Sequence, residues 1–214
     1  MTELADHFKR TAAERAATFV ESGMRVGLGT GSTVAFLLPA LAARSLDLTC
    51  VATSPATEQQ ARALGLRVIE FDQVDQLDIA IDGADQIAAD GWLVKGGGAA
   101  HTREKVVAAS ADRFVVIADD SKVVDRIVAP IPLELLEFGL AATLRHLGSV
   151  RLRDVSRSPD GGVIADYLGD VADPGELAAR LAATPGVIDH GLFAPTMVHD
   201  IVIAGETGIE HRQL

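Results

Sequence analysis

Four short stretches hold the residue types that chemistry needs. The first is Gly27-Leu28-Gly29-Thr30-Gly31-Ser32-Thr33, between an apolar run and a helical pattern. Glycines let backbone approach a ligand without Cβ obstruction. Thr30, Ser32 and Thr33 add hydroxyls, and a helix start adds N–H groups with a partial positive charge. The set suits a single phosphate group. Its Gly-x-Gly-x-Gly spacing is not the dinucleotide fingerprint, and it lacks the Gly-Lys-Ser/Thr ending of a P-loop. A tight strand–helix turn capped by Ser32 or Thr33 would use the same residues.

The second stretch is Asp78-Ile79-Ala80-Ile81-Asp82-Gly83-Ala84-Asp85-Gln86. It is an apolar strand ending in two carboxylates, Asp82 and Asp85, three residues apart. Such a pair can bind sugar hydroxyls, hold a metal or do acid–base work, or cap a loop. No histidine lies near it in sequence and only Asp90 adds a carboxylate, which argues against a metal.

The third is Lys95-Gly96-Gly97-Gly98-Ala99-Ala100-His101-Thr102-Arg103-Glu104-Lys105. A cation followed by glycine amides can stabilise an oxyanion as it forms. Glu104, near the start of the next helix, is either a first-turn partner of the helix dipole or a base; beside Lys95 and the glycines, the base is the better reading. His101 is expected at the surface or behind the reacting groups. The fourth stretch, Asp119-Asp120-Ser121-Lys122, ends another apolar run, where Lys122 can reach a bound anion or sit in a solvated turn.

The elements that position these residues follow from periodicity. Apolar residues at helical spacing predict a helix over 4–20. Short apolar strands are expected at 24–28, 48–52, 67–69, 77–81, 92–94 and 114–117, with helices running to about 44, over 57–64 and over 102–110. Such alternation implies a parallel sheet covered on both faces, with ligands at the carboxyl ends of its strands. From Pro130 and Pro132 the order becomes strand, helix (137–147), strand (150–155), turn (159–162), strand (163–167), helix (174–183), strand (187–192), which is β-α-β-β-α-β. The run 197–204 is expected to return as a closing strand. The expected class is therefore α/β, a Rossmann-like domain over 1–129 plus 200–214 with a smaller ferredoxin-like α+β domain over 130–199.

Composition bounds the rest. The chain has 214 residues, 48% hydrophobic and 23% charged, which argues against disorder. Its formal net charge of −11 gives no basic field for nucleic acid. Cys50, the one cysteine, lies in an apolar run and reads as a buried strand residue. No signal peptide or membrane-spanning stretch is visible, so the cytoplasm is the expected compartment.

Taken together and in this order, the four motifs resemble the ribose-5-phosphate isomerase A family. Pro132-Leu133-Glu134, Gly186-Val187 and Gly191-Leu192-Phe193 add to the resemblance, which covers nearly the whole chain. Gln86 departs from it, standing where the family usually has glutamate. The resemblance implies an aldose–ketose isomerase acting on ribose 5-phosphate through an enediolate, without metal or organic cofactor, as a homodimer or higher homo-oligomer. It implies Glu104 as proton acceptor, Asp82 and Asp85 on sugar hydroxyls and ring opening, and Lys95 with Gly96, Gly97 and Gly98 on the reacting oxygens. Thr30, Gly31, Ser32, Thr33, Gly83, Ala84 and Lys122 complete the implied substrate contacts. Two rivals remain at this point: a hydrolase or deaminase of sugar phosphates on a similar scaffold, and a non-catalytic sugar-phosphate-sensing domain.

Overall fold

The computed structural model describes residues 2–214. The chain divides into two compact units: one runs to Ala84 and includes Arg103–Lys122 and Thr196–Leu214, and the other comprises Asp85–Thr102 and Val123–Pro195. The partition expected from sequence and this grouping place residues 85–102, 123–129 and 196–199 differently.

The first unit is built on a six-stranded sheet in the order Gly208–Gln213, Asp200–Gly205, Phe114–Asp119, Ile79–Gly83, Arg25–Leu28, Thr49–Ala52. All neighbours are parallel except the first two, which form a hairpin. All six residues of Phe114–Asp119 are buried, as expected of a central strand covered on both faces. Helix Thr2–Ala17 packs its Ala12, Ala13 and Ala16 into the core with Leu37, Leu41, Ile79, Ile81, Val115 and Ile117. Each large aliphatic side chain buried there contributes about 1.5–3 kcal/mol. The α/β class read from the sequence is what the structure has.

Two strand assignments change. Residues 67–69 contribute only a single bridge, Cys50 to Val68. Leu93–Val94 is not part of the parallel sheet but pairs antiparallel with Gln86–Ala88 and with Leu192–Phe193 in the second unit. A two-residue apolar strand gives no directional signal in sequence, so its partners were not legible. The closing strand is present as Asp200–Gly205, and the Gly208–Gln213 strand beyond it was not foreseen. That edge strand reads Gly-Ile-Glu-His-Arg-Gln and buries no residue, so it carries no apolar alternation to detect.

Cys50 is fully buried, and burial pushes its thiol up to about 12.

One ion pair ties the closing strand to the sheet. Arg113 donates through Nε to Asp200 Oδ2 at 2.6 Å and through Nη2 to Oδ1 at 2.9 Å, and His211 Nε2 lies 2.7 Å from Oδ1. Burial alone would raise the Asp200 pKa, but hydrogen bonds from Arg113 and His211 outweigh it and hold the carboxyl below its ordinary value. A depressed folded-state pKa contributes stability that is present above the unfolded value and lost as pH falls through the folded one. The thermal midpoint should therefore fall on acidification below about pH 4, and Asp200→Asn should flatten that fall. Melting curves of both proteins across the acid range check this, and parallel acid slopes would contradict it.

The second unit has a four-stranded antiparallel sheet in the order Val187–His190, Ile131–Leu135, Val163–Tyr167, Val150–Leu152. Helices Leu140–Leu147 and Pro174–Ala182 complete the β-α-β-β-α-β order. Leu133, Leu135, Leu147, Ala165, Leu177 and Leu181 form its core. Asp173 caps the second helix, accepting from the Gly175 and Glu176 amides at 2.8 and 2.9 Å, with Pro174 at the first position. A smaller sheet joins Leu192–Phe193, Leu93–Val94, Gln86–Ala88 and Val123–Val124.

Candidate active site

In the parallel sheet, the strand after Arg25–Leu28 lies on one side of it and Ile79–Gly83 on the other. The order thus reverses between Arg25–Leu28 and Ile79–Gly83, the switch point at which open α/β sheets leave a crevice. The glycine loop leaves one of these strands and Asp82 ends the other. They meet: Thr30 N–H donates to Asp82 Oδ1 at 3.1 Å, Gly83 N–H donates to the same oxygen at 2.7 Å, and Gly29 N–H donates to Ile81 O at 3.0 Å. A Cβ on Gly29 would lie 1.9 Å from Asp82 Cγ, so only glycine allows this approach. Asp82 is 3% exposed, and one of its oxygens is committed to shaping the loop.

A set of hydroxyls holds the loop from the opposite side. Thr30 Oγ1 is 2.8 Å from Thr53 Oγ1, and Thr57 Oγ1 donates to Gly29 O at 2.9 Å. Ser54 caps the helix Pro55–Ala63, accepting from Thr57 N–H at 3.2 Å. Ser54-Pro55-Ala56-Thr57 matches the family's Ser-rich loop only loosely in sequence, and Thr53, at the end of the strand before it, was missed. Gly31 and Ser32 are exposed, Thr33 is buried, and Gly31 has φ +125°, a left-handed value that favours glycine. Thr33 occupies the cap position of helix Val34–Ala43, but its side chain makes no capping hydrogen bond, so the expected hydroxyl cap is not formed.

Glu104 is in the first turn of helix His101–Ala109 and is 3% exposed. A glutamate serving only the helix dipole stays in water, and this one does not. The helix packs on the sheet through Val107, whose Cγ1 comes within 2.5 Å of where a Gly27 Cβ would stand. It returns the chain from Ile79–Gly83 to its parallel neighbour Phe114–Asp119, so its N-terminal end with Glu104 faces the carboxyl edge of the sheet. The same edge carries the turn Asp120–Lys122, where Asp119 Oδ1 accepts from Ser121 N–H at 3.0 Å and from the Ser121 hydroxyl. Lys122 is half-buried there, and Gly83 and Ala84 are partly exposed. Within this unit, the glycine loop, Asp82, Glu104 and Lys122 all belong to one edge.

Asp85, Lys95, Gly96, Gly97 and Gly98 fall in the second unit. Asp85 Oδ2 accepts from Gly97 N–H at 2.7 Å, and Asp85 N–H donates to Val94 O at 2.7 Å. Lys95 is 2% exposed, its Nζ 5.5 Å from the centre of the Phe193 ring. Its backbone N–H donates to Gly191 O at 2.9 Å, and a Cβ on Gly191 would meet Lys95 O at 2.2 Å. His101 is not at the surface: it is fully buried beside Gly96, whose φ is +109° and whose Cβ would lie 2.7 Å from His101 Nδ1. Gln86 joins its side chain to the Val128 backbone in both directions, at 2.8 and 2.9 Å, which gives this departure from the family pattern a structural role. Buried Glu134 accepts from the hydroxyls of Thr102 and Ser158, a network that sequence reading did not find.

No helix among the described residues is long and apolar enough to cross a membrane. The family model described as ribose 5-phosphate isomerase A (phosphoriboisomerase A) matches residues 49–208. The chain is 45% identical over 222 residues to ribose-5-phosphate isomerase A of Roseiflexus castenholzii, covering 95% of this chain and 94% of the relative. The crystal structure of ribose 5 phosphate isomerase A from Neisseria gonorrhoeae superposes with a TM-score of 0.93 at 32% identity, covering 98% of this chain and 97% of that one. A D-ribose-5-phosphate isomerase in complex with phospho-erythronic acid gives 0.92 at 30% identity, over 98% and 99% of the two chains. By the family match and by identity over nearly its whole length, this chain belongs to the ribose 5-phosphate isomerase A family of enzymes.

Proposed function

We propose that the chain interconverts D-ribose 5-phosphate and D-ribulose 5-phosphate by metal-free proton transfer, with Glu104 as the base. The observation that carries the assignment is the burial of Glu104 in the first turn of its helix, 3% exposed, at the carboxyl edge of the sheet. Asp85 assists opening of the furanose, and Asp82 helps hold the sugar hydroxyls. Glu104 then takes the proton from C2 of the aldehyde. The C2–H electron pair forms the C1–C2 double bond, and the carbonyl pair moves onto O1 as an enediolate. Lys95 and the amides of Gly96 and Gly98 stabilise that oxygen, while the Gly97 amide holds the Asp85 carboxylate. The O2 hydroxyl proton passes to O1, the C1–C2 double-bond pair takes the proton back from the carboxyl group at C1, and the O2 pair closes the ketone.

The phosphate end binds at Thr30 to Thr33, where three hydroxyls and the amides of a helix start gather without a fixed cation, and Lys122 supplies the charge. A relative's structure in complex with phospho-erythronic acid, a phosphorylated sugar acid, supports this class of ligand. Family membership favours this reading over a hydrolase, a deaminase or a non-catalytic sensor. The reading places the enzyme in the cytoplasm as a homodimer or higher homo-oligomer.

The test is formation of ribulose 5-phosphate from ribose 5-phosphate by the purified chain in excess chelator. Loss of activity restored by a metal would overturn the metal-free mechanism. In the same assay Lys122→Ala should raise KM for the phosphorylated sugar by roughly 10-fold or more, with kcat little changed, as expected when a charge-assisted contact to a non-reacting group is removed. An unchanged KM would remove Lys122 from the phosphate site.

A further inference from the structure

We propose that Arg153 is a positioning residue for the isomerase reaction, holding the glycine turn after Lys95 so that the Gly97 amide orients Asp85 and the Gly98 amide faces the reacting oxygens. Arg153 lies just past the edge strand Val150–Leu152, more than 50 residues from the turn it touches, in a stretch without any motif. Its Nη1 donates to Gly96 O at 2.8 Å and lies 3.4 Å from Gly97 O. Its Nε and Nη2 both donate to Asp166 Oδ1, at 3.0 and 2.7 Å, and Arg151 Nη2 lies 3.7 Å from the other Asp166 oxygen. Asp166 is 5% exposed.

The peptide plane explains what this does. Gly96 C=O and Gly97 N–H belong to one peptide unit and point in opposite directions. Arg153 grips the oxygen end, and Asp85 accepts from the N–H end at 2.7 Å. That single plane is therefore fixed from both sides, and the Asp85 carboxylate takes its orientation from it. The next peptide joins Gly97 C=O to Gly98 N–H. An arginine that draws the Gly97 oxygen toward itself turns the Gly98 N–H the other way, which makes it the amide of the turn offered to a developing oxyanion. Donation to a carbonyl also polarises its peptide and strengthens the N–H at the far end. Because Asp166 offsets its charge, Arg153 contributes geometry rather than field. The planar fork is required, since only a guanidinium can bind the carboxylate with one edge and the carbonyls with the other.

The kinetic arm rests on the isomerase reading above, and a second arm does not. Hydrogen exchange at the Gly97 amide is followed by NMR on protein labelled with 15N-glycine, and turnover is measured on the same samples. Arg153→Gln should speed Gly97 exchange by about tenfold or more, with Gly29 exchange unchanged. Its kcat should fall about 10²-fold with KM within about threefold, as for a displaced set of donors. Added methylguanidinium should restore part of the kcat of Arg153→Ala, which a general loss of packing would not permit. Arg153→Lys, which keeps the charge and the bulk, should lose most of kcat while melting near the wild-type temperature. Unchanged Gly97 exchange, or kcat near wild type in Arg153→Lys, overturns the proposal. If the wild-type chain itself formed no ketose, the isomerase reading would fall, while the exchange arm would still report whether Arg153 holds the turn.

Discussion

Glu104→Gln should lower kcat by about 10²–10⁴-fold, the range a positioned general base contributes, while affinity for the phosphorylated sugar stays close to wild type. Glutamine keeps the volume and the hydrogen-bonding capacity of the side chain and removes only its basicity. The substitution suits a buried position: Glu104 is 3% exposed, so truncation would leave a cavity, whereas the amide fills the same space. Two measurements separate chemistry from binding. Ribulose 5-phosphate formation reports turnover, and calorimetric titration with a phosphorylated sugar acid reports the site's integrity. In deuterated water the wild-type enzyme should also place deuterium on the transferred carbon whenever the carboxyl exchanges its proton before returning it, and the variant should lose this incorporation along with turnover. Near-normal turnover in Glu104→Gln would remove Glu104 as the base, and lost turnover accompanied by lost affinity would assign it to binding instead.

The burial of Glu104 was not legible in the sequence, although its candidacy was. A glutamate in a first helical turn has two ordinary readings, and only its neighbours favoured one of them. What the sequence did carry was local. Apolar runs marked the strands Arg25–Leu28, Thr49–Ala52, Ile79–Gly83 and Phe114–Asp119, and the β-α-β-β-α-β order of the second unit followed from the same periodicity. What it did not carry is contact at long range. Asp82 reads equally as a ligand for sugar hydroxyls or as a loop cap until its oxygen is seen accepting from Thr30 N–H, 52 residues away. Arg153 has no motif around it and acquires its interest solely from Gly96, Gly97 and Asp166. His101 could sit at the surface or behind the reacting groups on sequence alone, and the left-handed Gly96 beside it opens the space that buries its ring. In each case the meaning of a polar side chain depends on a partner that no window of sequence contains.

Gly29→Ala should be the most damaging single methyl group that can be added to the glycine loop. Its Cβ would stand 1.9 Å from Asp82 Cγ and 2.0 Å from Oδ1, so the carboxylate must leave. Leaving breaks the hydrogen bonds from the Thr30 and Gly83 amides, at 3.1 and 2.7 Å. The loop cannot retreat instead without giving up the Thr57 bond to Gly29 O at 2.9 Å and the Thr30–Thr53 contact at 2.8 Å. Overpacking of this kind costs about 1–3 kcal/mol, and a shift of about 1 Å in the loop costs roughly 10²-fold in kcat/KM. Urea denaturation and steady-state kinetics measure the two effects. The cause is tested by a double-mutant cycle: if the clash with Asp82 is responsible, Gly29→Ala should cost far less stability in an Asp82→Ala background, where the methyl enters the space the carboxylate leaves. Equal costs in both backgrounds would place the damage elsewhere in the loop. The cycle also separates two roles of Asp82. Stability regained without activity in the double variant would show that its carboxylate does more at the substrate than shape the loop, whereas regained activity would leave it a purely structural part of the phosphate site.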